Sequence, residues 1–183
     1  MFRSKTIPLI AVMALFISAC GDDDDDGGGD SVAVGEYASD ICTAFFGWRD
    51  AIQDGQTELA SSLGPDAAPE EGKDALQGFL DNAVAASDQL IEDVEGAGTP
   101  DTENGEEAAD VLQTAAERAR DQLEDAQADV ADLPTDSPEA FSEAADQFGN
   151  DVQAALGGAG EGLQDVDSPE LDEAFDEEEA CQG

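Results

Sequence analysis

At 183 residues, the chain is long enough for one domain with a real core and too short for two. Only 6 lysines and arginines stand against 46 acidic residues and there is no histidine, so the net charge is −40. That balance argues against nucleic-acid binding, which needs clustered cations, and against docking on anionic lipid headgroups. Cations and basic peptides are the partners such a surface tolerates, and solubility alone accounts for it as well.

Arg3 and Lys5 precede an apolar run from Ile7 to Ile17. The run is too short to cross a hydrocarbon core as a helix, which takes about 20 residues, so it reads as a signal peptide. Small residues, Ser18 and Ala19, follow it and lead to Cys20. The sequence Ile17-Ser18-Ala19-Cys20 resembles the lipobox of bacterial lipoproteins, a likeness that covers residues 1–20 alone. It implies that the Cys20 thiol receives a diacylglycerol thioether and that the chain is cut between Ala19 and Cys20. It also implies that acyl chains, at about 0.8 kcal/mol per buried methylene, hold the protein to the extracytoplasmic face of a cell membrane. The portion from Cys20 onward then keeps 4 basic residues against all 46 acids, a net charge of −42.

Residues 21–31 lack any apolar side chain. Like charges and glycines make this stretch a disordered acidic linker, reaching at most roughly 36–40 Å. Asp22, Asp24, Asp26, Gly27 and Asp30 match positions 1, 3, 5, 6 and 9 of an EF-hand calcium loop, but Ala33 stands where a bidentate Glu is required. The run therefore reads as a spacer, and no metal ligands are assigned. The chain divides into signal peptide 1–19, lipidated cysteine and linker 20–31, and helical domain 32–183.

A first helix is expected over about Val32–Leu63 with Ser31 as N-cap, its stripe running through Val34, Tyr37, Ile41, Phe45, Trp48, Ile52, Leu59 and Leu63. Gly47 and Gly55 each weaken it by about 1 kcal/mol, and a bend or break is expected near Gly55. Tyr37, Phe45, Phe46 and Trp48 concentrate the aromatic bulk, more as core than as a ligand pocket. After the turn Gly64–Pro69, a second helix starts at Pro69 and carries Leu76, Phe79, Leu80, Ala83, Leu90, Ile91 and Val94 as far as Gly96-Ala97-Gly98. Asn104 with Glu107 opens a third helix, whose alanine-rich stripe runs from Ala108 through Leu112, Ala115, Ala119, Leu123, Ala126 and Val130 to Leu133. Ser137-Pro138-Glu139 opens a fourth, with Phe141, Ala145, Phe148, Val152 and Leu156 on one face, before glycines 157, 158, 160 and 162 loosen the chain. Ser168-Pro169-Glu170 repeats the start signal for a short helix bearing Leu171 and Phe175. The acids Asp176–Glu179 then crowd a helix C-terminus, where the dipole disfavours them. With no strand pattern, the expected fold is all-α: an up-down four-helix bundle with a short extra C-terminal helix.

With Cys20 lipidated, Cys42 and Cys181 remain as an even pair in an exported, oxidising setting. The expectation is a disulfide between them; free thiols and an intermolecular bridge are the alternatives. Without histidine there is no Ser-His or Cys-His pair and no usual transition-metal ligand. No nucleophile elbow, phosphate loop or dinucleotide fingerprint is present either. No catalytic residue or cofactor is therefore expected. The leading expectation is a membrane-anchored acidic helical lipoprotein serving as a binding or structural module of the cell envelope, partnered by the membrane through Cys20 and by an envelope protein or basic peptide. The rivals are a calcium-type cation-sequestering protein and an enzyme of unrecognised type.

Overall fold

The computed structural model describes residues 31–63, 67–159 and 168–182, without the side chains of 150–159. The signal peptide, Ala19, Cys20 and the aspartate run lie outside the described residues, as do Gly64–Asp66, Gly160, Gly162 and the side chains of Val152 and Leu156. The described chain is mostly helical: α1 (Val34–Ser62), α2 (Pro69–Gly96), α3 (Gly105–Ala131), α4 (Pro138–Ala159) and α5 (Pro169–Glu177), followed by a 3-10 turn, Glu179–Cys181. Two short strands, β1 (Ser31–Val32) and β2 (Thr99–Pro100), pair in parallel.

The helix starts follow from local chemistry. Pro69 and Pro169 each occupy the first turn, where the missing N–H would be unpaired in any case. The Glu71 carboxylate accepts from the Ala68 N–H at 3.2 Å. Ser137 caps α4, its hydroxyl accepting from the Ala140 N–H at 3.2 Å. Asn104 stands at the cap position of α3. Ser31 does not cap α1, which starts two residues later than expected: Ser31 pairs with Thr99 in the parallel bridge, and Ala33 takes the cap position. A contact nearly seventy positions along the chain overrides the local signal.

The expected break at Gly55 is also absent, because α1 runs unbroken from Val34 to Ser62. The glycine serves close approach instead: a Cβ there would meet the Phe79 ring of α2 at 3.0 Å. Likewise α4 continues through Gly157 and Gly158 to Ala159. The crowded acids after α5 find one use, since Glu178 accepts from the Ala180 N–H at 3.4 Å and caps the 3-10 turn.

α2 packs against both α1 and α3, α4 lies on α3, and α5 with the 3-10 turn lies on α1. The buried apolar residues form two clusters. One joins Tyr37, Ile41 and Ala44 of α1 to Leu90 and Val94 of α2, Ala108 and Ala116 of α3, and Leu171 of α5. The other joins Ile52, Leu76, Leu80, Ala83, Leu123, Val130 and Phe148. The first half of α1 thus meets the second half of α2 and the first half of α3. Trp48 packs against both clusters. Fully buried Leu80 and Leu123 each contribute about 2 kcal/mol by leaving water.

Candidate functional site

The aromatic group of α1 separates into two roles. Tyr37 is fully buried and Trp48 half-buried, whereas Phe46 is half-buried and Phe45 is 41% exposed. The Trp48 indole N–H donates to the Ser87 hydroxyl at 2.9 Å, and that hydroxyl donates onward to the Ala83 carbonyl at 2.9 Å. This chain fixes the indole while satisfying a buried serine. Phe45 packs beside Phe46 and Trp48, with ring centroids 6.0 and 5.8 Å apart. The Arg49 guanidinium sits 4.3 Å from the Phe46 ring centre and pairs with Asp50 at 3.2 Å.

Phe45, Phe46 and Trp48 form one wall of a cavity of about 440 Å³. Leu112 and Ala115 of α3 face them, and Phe175 of α5 closes one side. The expectation that the aromatic cluster is core therefore holds for Tyr37 but is incomplete for its neighbours. Helical periodicity assigns a face; it does not distinguish a filled interior from a hollow one. The alanine excess in α3 opposite bulky aromatics is compatible with the space but reads equally as close helix packing.

The cysteines meet as expected. Cys42 and Cys181 have sulfurs 1.94 Å apart and Cα atoms 5.1 Å apart, at disulfide distance, and both line the same cavity. Cys20, the expected lipid site, lies outside the described residues. A second, more open groove on α1 and α2 is rimmed by Asp40, Glu92 and Asp93 and also touches Trp48.

Among the described residues no group of three His, Cys, Asp or Glu side chains is placed to hold a metal. The ion pairs of Arg49 and Arg120 are exposed or partly so. Arg120 meets Asp121 at 2.6 Å and reaches across to Asp88 on α2 at 3.9 Å. Its pKa is raised, first by the Asp121 hydrogen bond and then by Glu124. No helix among the described residues is long and apolar enough to cross a membrane.

Tyr37 is the chain's single tyrosine. Its hydroxyl is buried without a hydrogen-bond partner, and burial pushes its pKa up to about 12. An unfolded phenol ionises near 10. The folded state therefore holds this proton more tightly, giving stability that is complete below pH 10 and lost as pH rises through about 12. An alkaline titration should show phenolate absorbance rising together with loss of helical circular dichroism. Ionisation near pH 10 in a chain still folded would refute the burial. Tyr37→Phe should leave stability unchanged or raise it by up to about 1 kcal/mol, since it removes an unsatisfied polar group.

Compared with models of known protein families, with curated proteins and with solved structures, the chain matches none.

Proposed function

We propose that this chain is an exported lipoprotein of the cell envelope, held to the membrane through Cys20, that carries a ligand- or partner-binding helical domain outside the cytoplasm. The observation that carries the reading is the sequence Ile17-Ser18-Ala19-Cys20 after a basic and then apolar leader. The Cys42–Cys181 pair at bonding distance supports it, because such bonds persist in oxidising compartments. In this reading the domain is an up-down four-helix bundle in which α1, α2 and α3 fill three positions. α4 and α5 share the fourth, α4 covering the cluster around Leu80 and α5 the one around Tyr37. The linker 20–31 holds the domain clear of the headgroups, which its strong negative charge would otherwise meet.

Mass spectrometry of the mature protein tests the anchor. The expected result is an N-terminal Cys20 carrying diacylglycerol. An intact residue 1, or a mature chain with unmodified Cys20, would overturn it.

A further inference from the structure

Beside the buried cluster around Tyr37, a pocket of about 440 Å³ opens to solvent. Its volume falls in the range of small-molecule sites, roughly 300–1,000 Å³. The lining is almost wholly apolar, and a water needs two to four polar partners to be held well. The walls come from four helices and the Cys42–Cys181 pair, so the hollow is a product of the tertiary fold. Phe45, 41% exposed, stands at its lip.

We propose that this cavity binds a small amphiphile, its apolar body lying between α1, α3 and α5 and its positively charged head beside Asp172. Asp172 is the one ionisable side chain among the described lining residues outside the cysteine pair, and it is exposed. Glu170, Glu173 and Asp176 add to the acidity of the same short helix. Arg49 lies over the Phe46 ring of the wall and is already paired with Asp50. The net charge of −40 repels anions across the surface, so an alkyl carboxylate of the same length is disfavoured. This names the ligand for the binding role proposed above. It does not depend on the anchor, because the cavity is built from residues 41–181 alone.

Trp48 is the chain's single tryptophan and lines the cavity, which provides a direct readout. The test uses the full chain carrying Cys20→Ser, so that no acyl group competes, titrated with a brominated alkylammonium salt below its micelle concentration. Saturable quenching of Trp48 at one equivalent is expected. The matching brominated carboxylate should bind about tenfold more weakly at low salt, a gap that narrows as salt screens the charge. Ala116→Phe, which fills the cavity from α3, should abolish quenching. Should that variant fail to fold by circular dichroism, Ala115→Phe fills the same space from a half-buried position.

Because Trp48 also touches the outer groove, Gly47→Leu is the control. An added Cβ at Gly47 meets nothing within 4 Å, so the substitution obstructs that groove and should leave quenching intact. The proposal is overturned by quenching that never saturates, by quenching that survives in a folded cavity-filled variant, or by its loss in Gly47→Leu. A carboxylate that binds as tightly as the ammonium overturns it too.

Discussion

Cys181→Ser should lower the stability of the domain by up to about 5 kcal/mol, the largest effect of any single change considered for this chain. The bond it removes spans 139 residues of sequence, and a longer closed loop restricts the unfolded chain more. A loss of that size corresponds to a fall in Tm of roughly 10–20 °C for a domain of this length. The consequences should concentrate at one end. α5 and the 3-10 turn pack on α1, with Leu171 2% exposed inside the cluster around Tyr37. Unpinned, they would be the first elements to separate. Thermal unfolding followed by circular dichroism, with and without reductant, checks this. Reductant should bring the wild type down to the level of Cys181→Ser and leave that variant, and Cys42→Ser, unchanged. A wild-type Tm indifferent to reductant would refute the clasp.

The second large effect belongs to Gly105→Ala. Gly105 begins α3 and is buried, and an added Cβ would lie 2.0 Å from the carbonyl oxygen of Pro100 and 3.3 Å from the Thr102 hydroxyl. That carbonyl is held in place by accepting from the Thr102 N–H at 2.8 Å. Pro100 is itself buried and paired with Val32 across the strand bridge, and Gly98 just before it turns the chain at φ 74°. The obstacle is backbone fixed from both sides, not the end of a movable side chain. Alanine would ordinarily favour a helix by about 1 kcal/mol over glycine. Here overpacking should outweigh that gain and leave a net loss of about 1–2 kcal/mol. Gly47→Ala is the matched control, with open space around the new methyl group, and should gain up to about 1 kcal/mol. Urea midpoints of the two variants should move in opposite directions; a shared direction would show that the contact at Pro100 yields easily.

Gly105 and Gly55 mark the boundary of what was legible in the sequence. Helix existence and most helix starts were readable, because Pro69 and Ser137-Pro138 act through neighbours a few positions away, although Asn104 takes the cap position of α3 without a side-chain cap hydrogen bond. The core stripes were readable too, since Leu76, Leu80, Leu123 and Val130 repeat at helical spacing and are buried as that spacing implies. The roles of Gly55 and Gly105 were not, because each is set by what lies against it: the Phe79 ring in one case and the Pro100 carbonyl in the other. Ser31 misled for the same reason, its partner Thr99 being far along the chain. The cysteine pair was foreseeable from the even count that remains once Cys20 is set aside. The cavity was not, since an alanine reads alike whether a neighbour fills the space above it or leaves it empty.

The Cys42–Cys181 pair has a topological consequence. A chain joined at those positions is a closed ring carrying a long N-terminal tail, and almost the whole helical domain lies inside the ring. One backbone cut anywhere between the two cysteines opens the ring without dividing the molecule, so the pieces still travel together on the tail. A cut before Cys42 instead divides the chain into two covalently separate pieces.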